Sequence, residues 1–155
     1  MELIMTSENI EIFFQLTLAV LLGGAIGFER RLAKKTAGIR TFALVALGAT
    51  LFSIIPQIAF RDFIGVSSFD PSRVASQVVV GIGFLGAGLI IFQEDKLRGL
   101  TTAAGLWVAA AIGIAVGYQM YIIAVFSTLL TILVLYFLWF VEFKLMDKFP
   151  QDRDE

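Results

Sequence analysis

The chain has 155 residues, of which 58% are hydrophobic and only 16% are charged, whereas a soluble domain has roughly 45–50% apolar and about 25% charged residues. Twelve basic residues oppose thirteen acidic ones, and cysteine and histidine are both absent. This composition excludes disulfides, the usual zinc ligands and histidine bases, and it provides no basic surplus for binding nucleic acid. It predicts a membrane protein with no nucleic-acid partner and no resident cofactor, in which any metal, such as Mg²⁺ as ligand or substrate, would have oxygen ligands.

Five apolar runs follow one another along the chain, separated by short polar breaks. Each run is close to the length of about 20 residues that a helix needs to cross a bilayer, and none alternates as a spanning strand would. We therefore predict an all-α integral membrane bundle of five transmembrane helices. In chain order the predicted helices cover residues 10–28, 39–60, 74–92, 100–117 and 118–141.

This interpretation gives the chain one transmembrane domain, residues 1–144, followed by a short charged cytoplasmic tail, residues 145–155. The basic cluster of the N-terminal region follows the first apolar run, whereas a signal peptide carries its basic residues before that run. We therefore expect the first helix to remain in the protein as a membrane span.

The distribution of Lys and Arg predicts the orientation of the bundle. Ten of the twelve basic residues lie in the first break, the third break and the tail, whereas the N-terminal segment has none and the second break has only Arg61 and Arg73. Basic loops stay in the cytoplasm. We therefore expect a multi-pass membrane protein with its N-terminus outside and its C-terminus inside.

Small residues recur at every fourth position in helices one, three and four, and such stripes let helix backbones approach closely in lipid. We expect these three helices to form a tight core. The fifth helix has no glycine, so we expect it at the periphery or against a second copy in a homodimer or other homo-oligomer. The predicted helix-packing glycines are Gly23, Gly27, Gly81, Gly83, Gly86, Gly88, Gly105, Gly113 and Gly117.

The segment 81–86 reads Gly-Ile-Gly-Phe-Leu-Gly and formally fits a dinucleotide-binding fingerprint. That fingerprint requires a strand-to-helix turn in a soluble unit and an acidic residue about 20 positions later. These glycines lie inside an apolar run, and residues 101–111 contain no Asp or Glu. We interpret the segment as a membrane helix that is either closely packed or locally unwound along a cavity.

Asp70 and Pro71 open the third helix on the predicted outer side. Asp is a favoured N-cap, and Pro is favoured at the first helical position. The main interpretation of Asp70 is therefore capping, and the alternative is that Asp70 and Arg73 attract or gate a cation.

Charged residues also flank the first cytoplasmic break, where Glu29 and Arg30 close one helix and Arg40 opens the next. One interpretation is that the basic side chains anchor the helices to anionic lipid headgroups. The other is that Glu29 pairs with Arg40 and that the amino ends of helices two and four favour an anionic ligand or an acidic partner segment. The hydroxyl residues at those two helix ends are Thr41, Thr101 and Thr102.

The centres of the five runs contain no charged residue. A charge at the centre of a membrane span costs roughly 2.5–3.5 kcal/mol and usually marks an ion pathway. The absence of such a charge disfavours a self-contained carrier with a carboxylate at the midplane.

Trp107 lies too deep in its run for an interfacial residue, so we expect it in the core or in a cavity wall. Without His or Cys no nucleophile–base pair is evident, and we expect no enzymatic activity.

The arrangement of these motifs resembles the MgtC/SapB family of bacterial inner-membrane proteins. The motifs, spread from residue 23 to about residue 117, are Gly23-x-x-x-Gly27-x-Glu29-Arg30, Ala37-Gly38-Ile39-Arg40-Thr41, Asp70-Pro71-x-Arg73, Gly81-Ile82-Gly83-Phe84-Leu85-Gly86-Ala87-Gly88, and Gly99-Leu100-Thr101-Thr102-Ala103 with Trp107. The resemblance implies an N-terminal membrane domain of about five helices, a link to magnesium limitation and, in pathogens, to virulence through survival inside host cells. Many relatives carry a soluble C-terminal domain, which we do not expect in this short form.

The expected function is therefore magnesium homeostasis in the plasma membrane. It would be carried out either by transport of Mg²⁺ or by binding and modulating another membrane protein. The alternative is a transporter or channel for another ion or a small anionic solute, formed by a homo-oligomer.

Overall fold

The computed structural model describes residues 7–61, 70, 72–93 and 96–148. Its five α-helices are α1 Ser7–Leu32, α2 Ile39–Ala59, α3 Ser72–Leu89, α4 Leu100–Gly117 and α5 Tyr121–Lys148. Each of them is long and apolar enough to cross a membrane. The predicted helical membrane bundle is thereby confirmed.

Successive helices run in opposite directions, so the bundle has two polar ends. At one end, here called the carboxylate end, the start of α1 with Glu8 and Glu11 lies near Gly117 at the end of α4. At the other, called the basic end, the close of α1 at Arg30 meets the start of α2 with Arg40. The two ends therefore differ in the charge they carry.

α2 lies in the centre of the bundle, between α1 and α4. Its contact with α1 depends on glycine, because a Cβ atom at Gly23 would lie 2.6 Å from the carbonyl oxygen of Phe42, and one at Gly27 would lie 2.7 Å from the Cα of Ile39. The backbones of α1 and α2 are therefore in direct contact, as small-residue stripes permit in lipid.

The contact between α2 and α4 is equally close. A Cβ atom at Gly113 would lie 2.3 Å from the carbonyl oxygen of Ala46, and one at Gly117 would lie 2.6 Å from the Cβ of Ser53. Gly105 leaves room for the ring of Phe42, which is completely buried. α1, α2 and α4 thus form the tight core, and the prediction that α3 belongs to it is wrong.

α3 lies at the periphery, because it packs mainly along α4 and buries only Ala75 and Ile82. A Cβ atom would meet nothing within 4 Å at Gly81, Gly83 or Gly88, and at Gly86 only Ala103, at 3.8 Å. These four glycines therefore do not mediate close helix packing. α3 is also a continuous helix through them, so the hypothesis of a locally unwound segment is wrong.

The third helix ends at Leu89, three residues before its predicted end, because the chain then forms a β-hairpin. Strand β1, Ile91–Gln93, pairs antiparallel with β2, Lys96–Arg98. Gly99 then has a φ of +92°, and a Cβ atom there would lie 2.0 Å from the carbonyl oxygen of Leu89. Only glycine fits this turn into α4.

Both α1 and α4 end in a Schellman motif, with a non-glycine residue in the left-handed conformation. These residues are Lys34, with a φ of 54°, and Gln119, with a φ of 62°. The amide of Lys35 donates to the carbonyl oxygen of Arg30, and the amide of Met120 donates to that of Ala115. The second motif occupies residues predicted as helical, so α5 starts at Tyr121.

α5 packs against α1 and α4 and is mostly exposed along its length. It continues to Lys148, so the first residues of the predicted tail, 145–148, are helical. The rest of that tail, residues 149–155, lies outside the described residues.

Candidate functional site

The basic end contains a buried ion pair within α1. Arg30 is only 3% exposed, and its Nε and Nη2 atoms donate to the two carboxylate oxygens of Glu29, with Nη2 2.6 Å from Oε1. The carboxyl end of a helix favours a cation electrostatically. Glu29 thus pairs with its neighbour and not with Arg40, which is exposed. The hypothesised Glu29–Arg40 pair is therefore not formed.

An open groove of about 690 Å³ lies between α2 and α3, with its mouth at Arg40 and Thr41. Its lining is otherwise apolar except for Gln77, and Gly48 and Gly81 contribute bare backbone to it. The glycine-rich segment of α3 thus lines a cavity, as one of the two predicted interpretations required, but it does so as regular helix.

The other predicted residues of the basic side do not line this groove. Thr101 is exposed, Thr102 is buried at 2% exposure, and Trp107 is 51% exposed. The prediction that Trp107 lies in the core or in a cavity wall is wrong, because its side chain faces outward from α4. An indole on the outer surface of the bundle would contact lipid or another protein.

At the start of α3, the carboxylate of Asp70 accepts a hydrogen bond from the amide of Ser72 at 2.9 Å. Asp70 is therefore the N-cap of α3, whereas Pro71 lies outside the described residues. Hydrogen bonds from Ser72, and to a smaller extent the charge of Arg73, hold the pKa of Asp70 below its usual value of 3.8. Both Asp70 and Arg73 are exposed, and the capping geometry supports the structural interpretation of Asp70.

The carboxylate end holds a polar cavity of about 330 Å³, whose polar lining residues include Glu8, Glu11, Gln15, Gln57 and Arg61. Arg61 pairs with Glu8, and the hydroxyl of Tyr121 donates to Glu11. Both carboxylates therefore already have partners. In the described part of the chain, no group of three or more acidic side chains is placed to hold a metal ion.

Beneath this cavity, side chains of α1 and α2 satisfy the last carbonyls of α4. The Nε2 of Gln15 lies 3.0 Å from the carbonyl oxygen of Val116 and 3.3 Å from that of Gly117. Gln57 donates to the same oxygen of Gly117 at 3.1 Å. The terminal carbonyls of a helix lack partners within the helix, so these bonds connect the end of α4 to α1 and α2.

The hydroxyl of Thr50 adds a similar bond deeper in the bundle, 2.8 Å from the carbonyl oxygen of Gly113. The sequence interpretation did not single out Thr50 or the two glutamines. For Thr50 and Gln57 a signal was present in the spacing of Thr50, Ser53 and Gln57, which places three polar side chains on one face of an otherwise apolar helix.

Comparison with known proteins identifies the family. The sequence pattern of the MgtC family matches residues 16–143, which extend from α1 into α5. The chain belongs to the MgtC family. The groove between α2 and α3 lies wholly within the matched residues, whereas Glu8, Glu11 and Gln15 precede them.

Curated relatives agree with this assignment to the MgtC family. The chain is 43% identical over 140 residues to the "Putative magnesium transporter YhiD" of Escherichia coli K12, covering 89% of this chain and 65% of the relative. It is 48% identical over 99 residues to Protein MgtC of Brucella abortus, covering 64% and 39%. It is 42% identical over 130 residues to Protein SrpB of Synechococcus elongatus, covering 77% and 71%. The chain thus spans less than two thirds of the first two relatives, and no solved structure matches it.

Proposed function

We propose that this protein serves magnesium homeostasis as a non-enzymatic, multi-pass protein of the bacterial inner membrane. The proposal is supported by its membership of the MgtC family and by its similarity to a relative whose name describes a magnesium transporter. The five membrane-spanning helices support the membrane location.

The proposed orientation places the basic end in the cytoplasm. The excess of Lys and Arg in the loops of that end supports this orientation. Reporter fusions provide the test: alkaline phosphatase should be active when it is fused after Arg61 and inactive when it is fused after Glu155. The reverse pattern would contradict the orientation.

We further propose that the protein acts by binding another membrane protein, because its own core offers no path. The α1–α2–α4 contacts bring carbonyl oxygens within 3 Å of the position of a glycine Cβ. That spacing leaves no room for a hydrated cation between the three helices. A solute would therefore have to pass outside the core.

The proposed partner surface is the outer face of α3, formed by Val80, Gly83, Phe84 and Ala87. Phe84 is 83% exposed, Val80 is 70% exposed, and the space around Gly83 is open. A bulky side chain beside a bare stretch of backbone is a surface that another transmembrane helix can approach closely. This exposed face is the observation that carries the partner-binding proposal.

Two measurements test this proposal. One is the capture of a partner protein by the chain, and the other is the rescue of growth at limiting Mg²⁺ in a host that lacks its own member of the family. Gly83→Leu and Phe84→Ala should abolish both the rescue of growth and the capture of a membrane protein, while membrane insertion stays normal. Ala111→Leu, on an exposed part of α4, is the control and should retain both. Capture of only the chain itself would contradict partner binding and would favour a homodimer.

Transport by the protein itself is the second candidate, and the polar cavity at the carboxylate end is the observation that favours it. If this candidate is correct, liposomes containing the purified protein will take up Mg²⁺, and Glu11→Gln will slow the uptake. Flux no greater than that of empty vesicles would eliminate it.

A further inference from the structure

The groove between α2 and α3 is about as long, measured along α2, as one membrane leaflet is thick. Its lining on α2 extends from Arg40 to Phe52, and twelve residues of helix rise by about 18 Å. The hydrocarbon core of a bilayer is about 30 Å thick, so one leaflet accounts for about half of it. The groove thus begins at a polar end of the bundle and extends inward roughly as far as the acyl chains of the adjacent leaflet.

The mouth of the groove suits an anion. Arg40 is exposed and makes no ion pair within the described ranges, and Thr41, the next residue in the chain, also lines the groove. α2 begins at Ile39, so the first amides of the helix lack carbonyl partners and the helix dipole adds partial positive charge. A phosphate group would gain charge-assisted hydrogen bonds at this position.

The body of the groove suits a thin apolar chain. Gly48 and Gly81 line it, and a Cβ atom at either position would meet nothing within 4 Å. The rest of the lining is apolar apart from Arg40, Thr41 and Gln77. An unbranched acyl chain is thinner than a helix, which with its side chains is about 10 Å wide, and it can lie along this apolar lining.

We propose that this groove binds one acyl chain of an anionic phospholipid, whose phosphate accepts hydrogen bonds from the Arg40 guanidinium and the Thr41 hydroxyl. Basic pockets between transmembrane helices are suited to such headgroups. The bound lipid fills the space between α2 and α3, which touch each other less than α3 touches α4. The site shares no residue with the outer face of α3. Failure of the partner-binding proposal would therefore not contradict lipid binding, and failure of lipid binding would not contradict partner binding.

Native mass spectrometry of the purified full chain tests the headgroup part of the proposal, with phosphatidylglycerol and phosphatidylcholine of identical acyl chains as probes. The wild type should retain one phosphatidylglycerol in preference to phosphatidylcholine. Arg40→Gln should reduce this preference about tenfold, which is the effect expected for losing one charge-assisted hydrogen bond. Arg31→Gln removes an equivalent exposed charge at the same end and should leave the preference unchanged.

Two further variants test the acyl-chain part. Gly48→Leu and Gly81→Leu should each reduce binding of both lipids, because the new side chain occupies the groove without meeting backbone. Ala111→Leu, which adds bulk to an exposed surface outside the groove, should bind lipid as the wild type does.

Three results would overturn the proposal. Equal losses from Arg40→Gln and Arg31→Gln would show only a diffuse attraction to anionic lipid. Unchanged lipid binding in both glycine variants would place the lipid elsewhere. A wild-type dimer that Gly81→Leu converts to a monomer would assign the groove to a second copy.

Discussion

The helices α3 and α4 are both rich in glycine, yet their glycines have opposite surroundings. In α4, Gly113 and Gly117 lie against the backbone or side chains of α2, where no larger residue fits. In α3, Gly81, Gly83 and Gly88 have open space around them. A stripe of small residues therefore permits close packing but does not by itself produce it. The position of the neighbouring helix decides which stripe is used.

Replacing one glycine on each helix should give the largest difference. Gly113→Leu would drive a side chain into the carbonyl oxygen of Ala46, because even a Cβ atom would lie 2.3 Å from it. Overpacking typically costs about 1–3 kcal/mol and occasionally more. A clash with backbone belongs at the upper end of that range, so we expect little folded protein. Gly83→Leu should fold normally. The free energy of unfolding of each purified variant is measured in mixed micelles. Equal stability of the two variants would contradict the difference in surroundings between the α3 and α4 glycines.

The two ion pairs extend the comparison to charge. Glu29→Gln would leave the buried guanidinium of Arg30 without its carboxylate, which costs about 3 kcal/mol. Glu8→Gln removes the exposed pair with Arg61 and should cost about 0–1 kcal/mol. The same unfolding measurement applies, and a stable Glu29→Gln variant would mean that the pair adds nothing to the core.

A pair of threonines gives a smaller and better matched contrast. Thr50 is fully buried, and its hydroxyl lies 2.9 Å from the carbonyl oxygen of Ala46 in α2 and 2.8 Å from that of Gly113 in α4. Thr17 is exposed and bonds only within α1, to the carbonyl oxygen of Phe13. Thr50→Val should therefore destabilise the bundle by about 1 kcal/mol. Thr17→Val should have almost no effect. Similar losses would show that the bond between helices adds nothing to the bond within one helix.

The cap of α3 should give the smallest and most local effect. Because folding lowers the pKa of Asp70, its contribution is complete above the usual value of 3.8 and is lost as the pH falls through the lowered pKa. Asp70→Ala should speed hydrogen exchange at the amide of Ser72, with little change in global unfolding.

Asp70→Asn serves as the control for this cap, because it keeps an oxygen acceptor without titrating. Protection of the Ser72 amide, taken relative to the intrinsic exchange rate at each pH, should stay high and should not fall in acid. Fast exchange in the asparagine variant at neutral pH would show that the charge, and not the acceptor, holds the start of α3.

Much of the fold was predictable from local sequence. Five apolar runs predicted five helices, because lipid leaves the backbone no other partner for its hydrogen bonds over such lengths. Asp70 was predicted as a cap because capping depends only on neighbouring residues. The hairpin after Leu89 was missed because its first strand, Ile91–Gln93, continues the apolar run with residues that fit either structure. Its second strand, Lys96–Arg98, lies in the charged break that follows.

The candidate site was predicted less completely. Arg40 and Thr41 were singled out as a possible anion site at a helix start, which stays a prediction, whereas the groove below them depends on how far α3 lies from α2. The bonds of Gln15 and Gln57 to α4 join residues that are 60 or more positions apart in the chain. No local pattern records such a distance.

The sequence by itself determined that this is a five-helix membrane protein of the MgtC type. The length of each apolar run can be compared directly with the thickness of a bilayer, and the spacing of the motifs is visible along the chain without any tertiary contact. Only the tertiary structure decided which glycines touch another helix, which arginine is buried and where space remains. These outcomes depend on how helices distant in sequence approach each other, since packing in lipid is selected by shape complementarity between whole faces and not by the composition of either face alone.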